Sequence, residues 1–283
     1  MVEKGALYVC PTPIGNLADI TLRVLDTLKQ VDFIAAEDTR HSRKLLAHYK
    51  IKTLLISYHE HNERQRAAEL IARLQQGQSG ALISDAGMPG ISDPGSVLIR
   101  QCIEKGIKID VLPGPNAALT ALVLSGMPTD SFLYLGFLPS KKKERQKILA
   151  EIAELPYTII LYEAPHRLQR TLQDILEVLG DREVAVAREL TKLHQTVHRG
   201  AASDLLAEFE QTPAKGECCL LIAPAKGQEQ VLKNQATDWL RDLEKLEAEG
   251  VTGKEALRLV AQKYGIGKNA IYKAKLEQKK NTK

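Results

Sequence analysis

At 283 residues the chain exceeds a single small module, and at about 100–200 residues per domain it predicts two domains with an appendage. With 44% hydrophobic residues, 26% charged residues and 12 prolines, the composition excludes an intrinsically disordered chain, a collagen-like repeat and a disulfide-stapled mini-protein. The net charge is +4, but nine Lys/Arg against two Glu between Lys254 and Lys283 place +7 there and leave −3 on the preceding 253 residues. Such a skew points to an anionic partner met by the tail. Cys10, Cys102, Cys218 and Cys219 form no CxxC pair, which predicts free thiols in a reducing cytoplasm. No run approaches about 18 apolar residues, and Met1–Cys10 lacks the segments of a signal peptide, so a cytoplasmic protein with no membrane partner is expected.

In chain order, Ala6–Cys10, Phe33–Ala36, Leu54–Ser57, Ala81–Ser84 and Ile109–Leu112 are short β-rich runs. Each precedes a loop and a helical pattern such as Leu22, Leu25, Leu28 or Leu70, Ile71, Leu74. This alternation predicts an α/β domain over 1–126 with a largely parallel sheet, whose ligand crevice lies beyond the carboxyl ends of the strands. The loops there are dense in Gly and Pro: Pro11 to Asn16, Asp85 to Gly95, and Pro113 to Asn116. Glycine lets a ligand approach the backbone and proline stiffens the remainder, so these loops predict a rigid wall of main-chain donors and acceptors.

A second α/β domain is expected over 127–224. Its strands are Leu133–Phe137, Thr158–Tyr162, Glu183–Arg188, Thr196–Arg199 and Cys218–Ala223, and its helices Lys141–Glu154, Arg167–Leu179 and Ser203–Phe209. Several strands follow one another with little helix between, which predicts a mixed sheet, and the cleft between two α/β units is the expected binding site. After a linker near Pro224–Gln230, a helical tail over 231–283 carries three helical patterns, Leu232–Glu249, Lys254–Tyr264 and Asn269–Glu277. The last two, joined by Gly265-Ile266-Gly267, form a helix-turn-helix-like segment in which Lys268 and Lys273 would meet nucleic acid. Trp239 is expected to anchor the core of this appendage.

Neither GxGxxG after the first strand nor GxxxxGK[ST] anywhere is present, so cofactor phosphates lose their usual support. A phosphate-free ligand held by kinked loops fits better, and S-adenosylmethionine is the obvious candidate. His59-Glu60-His61 and His194 with His198 have spacings a metal could use, but neither has further ligands of the expected type, so no metal is expected.

Together, Thr12-Pro13-Ile14-Gly15-Asn16-Leu17-Ala18-Asp19-Ile20-Thr21, Ala36-Glu37-Asp38-Thr39-Arg40, the run Ser84 to Gly95, Pro113 to Ala117, Tyr162-Glu163-Ala164-Pro165-His166-Arg167 and Arg188 to Lys192 resemble the ribosomal-RNA methyltransferase branch of the tetrapyrrole-methylase superfamily. The resemblance runs in order from about Leu7 to Ala223. Met88 stands where Thr is expected and Asn116 where Ser is expected. The resemblance implies a homodimer of two-domain subunits that binds S-adenosylmethionine in the interdomain cleft and methylates a cytidine ribose 2′-hydroxyl in small-subunit ribosomal RNA, naked or assembled. By position the donor would meet Pro13, Ile14, Gly15, Gly87, Met88, Pro89, Ile91, Asn116, Ala117, Tyr162 and Glu163. Other readings are carbon methylation of a tetrapyrrole precursor, against which the basic tail argues, and a ligand-sensing nucleic-acid-binding regulator.

A protonated ribose hydroxyl is a poor nucleophile, so a carboxylate within reach is expected to take its proton. Glu37, Asp38, Asp85, Glu163 and Glu189 sit at strand ends on one edge. Glu37, Asp38 and Arg40 are the expected catalytic group, with helix capping by Asp38 and an Arg40–Glu37 pair as the structural alternative. His166, Arg167, Arg188 and Lys192 would suit RNA phosphates at the rim. For Arg43 and Lys44 a merely solvated helix face is the leading reading.

Overall fold

The computed structural model describes residues 2–225, 239–264 and 271. Strands β1 (Leu7–Val9), β2 (Phe33–Ala36), β3 (Leu54–Ser57), β4 (Gly80–Ile83) and β5 (Ile109–Val111) alternate with α1 (Leu22–Gln30), α2 (Thr39–His48), α3 (Glu63–Gln75) and α4 (Ser96–Glu104). The five strands form one sheet in the order β3-β2-β4-β1-β5, every neighbour parallel. Strands covered on both faces read as unbroken apolar runs, and β1, β2 and β4 are buried at every residue. One face is covered by Val24 and Leu28 of α1 with Leu45 and Leu46 of α2, the other by Leu70 and Leu74 of α3 with Leu98 of α4. β4 starts one residue before the predicted run, at Gly80, where the ring of Phe33 lies 2.3 Å from the position a Cβ would take.

Helix α5 (Ala117–Ser125) leads to the second sheet, of β6 (Phe132–Phe137), β7 (Thr158–Glu163), β8 (Glu183–Arg188), β9 (Thr196–Ala201) and β10 (Cys218–Ile222). Their order is β6-β7-β10-β8-β9; β6 and β7 are parallel and the other pairs antiparallel, the mixed sheet expected. The remaining helices of this half are α6 (Lys142–Glu151), α7 (Leu168–Leu179) and α8 (Ala202–Gln211). α6 stops at Glu151, short of the predicted Glu154. A buried ion pair joins α6 to α7: Arg145 Nε donates to Asp174 Oδ2 at 2.6 Å.

Although α5 belongs to the first block by sequence, Ala118, Ala121 and Leu122 pack on Ile160, Ala185 and Leu221 of the second sheet. Residues up to Ala153 together with Tyr157–Ala223 form one compact unit, which contains both sheets. Glu154–Pro156 and the described residues from Pro224 onward form another. Within the latter, residues 239–248 and Gly253–Tyr264 are helical and bury Trp239 with Leu243, Ala256, Val260 and Ile271, so Trp239 is the core anchor expected. The Tyr264 hydroxyl donates to Asp242 Oδ2 at 2.8 Å and ties the two helices. Lys268, Lys273 and, except for Ile271, the expected helix Asn269–Glu277 lie outside the described residues. The four cysteines are unpaired. Among the described residues no helix is long and apolar enough to cross a membrane.

Candidate active site

β1 and β4 lie side by side in the first sheet, so the loops that follow them open at the same place. Main-chain bonds fuse those loops. Thr12 N donates to Gly87 O at 2.9 Å, Gly87 N returns to Thr12 O at 3.0 Å, and the Thr12 hydroxyl donates to Ser84 O at 3.0 Å. Gly87 has φ +81, a backbone conformation that costs glycine nothing. The third loop packs on the first, with Pro11 within 2.8 Å of where a Cβ on Gly114 would stand. Asn116 then caps α5, its Oδ1 accepting from Leu119 N at 3.0 Å. Serine and asparagine are both strong caps, so this departure from the expected Ser keeps the helix start.

The second half of the unit grips these loops at two points. Asn16 N donates to Thr191 Oγ1 at 3.0 Å, while Gly15 lies so close to Leu190 O, Thr191 Oγ1 and Lys192 Cγ that a Cβ would sit 2.6–2.8 Å from all three. Farther along, Ser92 Oγ and the Tyr134 hydroxyl share a hydrogen bond of 2.5 Å. Ser92, Glu189 and Thr191 have φ of 62°, 48° and 63°. For residues with side chains this backbone costs of order 1–3 kcal/mol each, and it persists where surrounding contacts over-determine it.

Between the two sheets these segments enclose a cleft of about 440 Å³. Of the residues expected to meet the donor, Ile14, Gly87, Met88, Ile91, Asn116, Ala117, Tyr162 and Glu163 line it. Pro89 is buried and does not line the cleft, and Pro13 and Gly15 line a separate depression beyond Ile14. Sequence reasoning passed over Ser92, Asp93, Phe137, Glu217, Cys218 and Cys219, which also line the cleft. Asp93 was legible in principle, because it lies inside the Ser84 to Gly95 run.

The expected catalytic group separates. Glu37 faces the cleft, where burial, and then the neighbouring Asp85, raises its pKa. Asp38 turns away and caps α2: its Oδ1 accepts Arg40 N at 2.8 Å and its Oδ2 pairs with Arg40 Nη2 at 2.9 Å, bonds that hold its pKa down at about 2. Arg40 thus pairs with Asp38 rather than Glu37, and its side chain is 87% exposed and lines neither depression. Capping is what the geometry gives Asp38.

Glu163 is 2% exposed, and its carboxylate accepts Thr171 Oγ1 at 2.6 Å, Ala164 N at 2.9 Å and Arg167 Nε at 3.1 Å. Those bonds anchor the start of α7. Arg167 also donates to Leu138 O at 2.6 Å, so its guanidinium braces the strand ends instead of reaching a phosphate. Arg188 is likewise committed, donating twice to Lys215 O at 2.8 and 3.1 Å. His166 is exposed, and Lys192 lines the cleft with its Nζ 2.9 Å from Glu189 Oε1. The His59 and His61 rings lie 5.9 Å apart, yet no group of three His, Cys, Asp or Glu among the described residues is placed to hold a metal.

The cleft is electrostatically lopsided. Glu37, Asp85, Asp93, Glu163, Glu189 and Glu217 line it, against Lys192 as the one cation lining it among the described residues. Burial, with Glu37 and then Asp85 adding repulsion and Ser84 opposing through a hydrogen bond, raises the Asp93 carboxyl to about 7. Burial raises both thiols at the floor, Cys218 to about 11 and Cys219 to about 12, which keeps them protonated and unreactive. Tyr162, also raised by burial, stacks edge-on against Tyr134 and Phe137 at 5.2 and 5.6 Å. The cleft therefore suits a cationic small molecule with a flat apolar part.

Comparison with known proteins gives the family. Over 279 residues the chain is 50% identical to "Ribosomal RNA small subunit methyltransferase I" of Escherichia coli O157:H7, covering 98% of this chain and 96% of that one. It is 47% identical over 275 residues to the protein of the same name from Synechocystis, covering 96% and 98%. Among solved structures, uroporphyrin-III-C-methyltransferase from Thermus thermophilus superposes with a TM-score of 0.56 at 21% identity, covering 80% of this chain and 98% of that one. Cobalt precorrin-4 methyltransferase superposes with a TM-score of 0.59 at 17% identity, covering 77% and 95%. These last two share the fold. The profile of the Tetrapyrrole (Corrin/Porphyrin) Methylases matches residues 6–206, the stretch that supplies the first sheet, every strand of the second except β10, and most of the cleft, and the chain belongs to that family.

Proposed function

We propose that this chain transfers a methyl group from S-adenosylmethionine to the 2′-hydroxyl of a cytidine ribose in small-subunit ribosomal RNA, free or in the assembled subunit, as a cytoplasmic homodimer. The observation that carries the reading is the acid-lined cleft, in a chain similar over nearly its whole length to proteins named for small-subunit ribosomal RNA methylation. The two α/β lobes, 1–126 and 127–224, supply one wall each, and the basic tail adds contacts to RNA.

The residues present fit the donor. A volume of 440 Å³ lies within the about 300–1,000 Å³ of small-molecule sites. Ile14, Ala117, Tyr162 and Leu190 offer apolar surface to an adenosine, and the surrounding carboxylates offset a sulfonium and an ammonium. When bound, the donor supplies an electrophilic methyl group whose transfer discharges a positive charge. The chain's own contribution is alignment, for which pre-paid orientation is worth roughly 7–11 kcal/mol in well-oriented reactions. The clasp of Gly15 and Asn16 on residues 190–192 and the Ser92–Tyr134 bond keep the two walls in register for that purpose.

Asp93 makes donor binding depend on pH. A cation in the cleft favours its ionised form, so donor affinity is expected to rise as pH rises through about 7 and to level off above it. Below that pH one proton leaves per donor bound, a limit of about tenfold per pH unit. Calorimetry in buffers of different ionisation enthalpy reads the released proton directly, and Asp93→Asn is expected to flatten the profile; a profile unchanged in that variant would remove Asp93 from donor binding.

The activity itself is tested with methyl-labelled donor and isolated small ribosomal subunits, naked ribosomal RNA and uroporphyrinogen in parallel. Label is expected in cytidine ribose of the RNA. Label in uroporphyrinogen alone would favour the small-molecule reaction.

A further inference from the structure

The depression beyond Ile14 has a volume of about 450 Å³ and shares with the cleft a wall that includes Ile14, Asp85 and Lys192. Its floor is apolar, formed by Pro13, Leu17 and Leu45. The Tyr49 hydroxyl at the end of α2 donates to Leu17 O at 2.6 Å and holds that floor in place. His41 and Lys44, one turn apart on α2, stand exposed at the rim, and neither forms an ion pair among the described residues. Asp85, Glu217 and Lys192 line both spaces; Glu37, Asp93, Glu163 and Glu189 line the cleft but not the depression, whereas the Lys44 ammonium and the His41 imidazole line the depression but not the cleft. A polyanion is therefore disfavoured less in the depression than in the cleft.

We propose that this depression receives one ribonucleotide drawn out of the RNA, with its flanking phosphates at His41, Lys44 and Lys192 and its sugar against Asp85. The proposal rests on the methyl-transfer reading above and adds where the RNA enters. The volume suits a single nucleotide and excludes a helix, and enzymes that act on one nucleotide of a structured nucleic acid take it out of the stack. A sugar in the depression and a donor in the cleft meet only across the shared wall. Of the two carboxylates on that wall, Asp85 is half-buried and Glu217 exposed. Asp85 Oδ1 accepts the Asp38 amide at 3.1 Å, and among the described residues no side chain donates to this carboxylate. As the ribose oxygen bonds to the methyl carbon and the carbon–sulfur bond breaks, the electron pair stays on sulfur and the hydroxyl proton passes to Asp85. One cation and one anion are consumed, leaving a thioether, a methyl ether and a neutral carboxyl.

The test is the full-length His41→Ala/Lys44→Ala variant, with binding of isolated small ribosomal subunits measured across a salt series without donor and donor affinity measured separately by calorimetry. Subunit binding is expected to weaken about tenfold at physiological salt, and the slope of log affinity against log salt to fall by about one to two units, as the loss of one or two phosphate contacts requires. Donor affinity is expected to stay within about twofold, and Lys44→Arg to keep subunit binding near wild type. Unchanged subunit affinity and salt slope would overturn the proposal, as would an equal loss of donor affinity, or a shift from dimer to monomer that accounts for the whole effect. Methyl transfer by the wild-type protein to subunits alongside such a result would show that the activity stands and the entry site lies elsewhere; no transfer to any RNA would bring down both.

Discussion

Replacing Asp85 by Asn is expected to slow methyl transfer to small ribosomal subunits by about 10²–10⁴-fold, the range by which a positioned proton acceptor accelerates a reaction. The substitution keeps shape and keeps an oxygen to accept the Asp38 amide, so the strand-to-loop turn after β4 is retained. What disappears is the negative charge on the wall shared by the cleft and the depression. Five other carboxylates still line the cleft, so donor affinity is expected to fall only a few-fold. Single-turnover rates with donor in excess separate the two effects. Glu37→Gln, which alters a cleft carboxylate off the shared wall, is expected to slow transfer less than Asp85→Asn. Equal rates for Asp85→Asn and wild type would show that the proton leaves by another route.

Gly15→Ala is the second large effect. Its Cβ would sit 2.7 Å from Leu190 O, a main-chain atom that no side-chain rotation removes, as well as 2.6 Å from Lys192 Cγ. Relief requires the turn at 189–191 to move, and that turn already holds Glu189 and Thr191 at positive φ. Overpacking of this kind costs about 1–3 kcal/mol. The loss falls where the two sheets' loops meet, since Asn16 N, next in the chain, donates to Thr191 Oγ1. Denaturant unfolding is expected to show that loss of stability, and calorimetry a donor affinity lowered at least tenfold. Adding Lys192→Ala frees the Lys192 contact but neither the carbonyl nor Thr191 Oγ1, so it is expected not to restore donor binding. Restoration would mean that the carbonyl yields easily and that the clasp does not position the cleft.

Much of this architecture was legible in the residues. The apolar run Phe33–Ala36 and the run Glu183–Arg188, apolar between its charged ends, are strands with the bounds expected, and the Gly/Pro loops meet as their composition implied. What the sequence hid was the direction of side chains. Glu163 ends β7 and points inward to Thr171, so a carboxylate at the right strand end is structural; Arg167, one helical turn on, follows it inward. Lys44 reads as a solvated residue from helix periodicity alone, and it lines the depression only because the loop after β1 folds back over α2. Helix α5 carries apolar residues on every side, so its sequence did not say which sheet it covers. Asp93 required knowledge of depth and neighbours: burial beside Glu37 and Asp85 sets its proton affinity, and none of these is adjacent to it in the chain.

The central claim is that the cleft between the two sheets is the methyl-donor site. A crystal structure of the full chain grown with S-adenosylhomocysteine, the demethylated product, tests it most directly. The product is predicted between the Gly87–Asp93 segment and Tyr162, with its sulfur facing Asp85 across from the depression. Product bound elsewhere on the molecule, or a cleft left open to solvent under saturating product, would contradict the account.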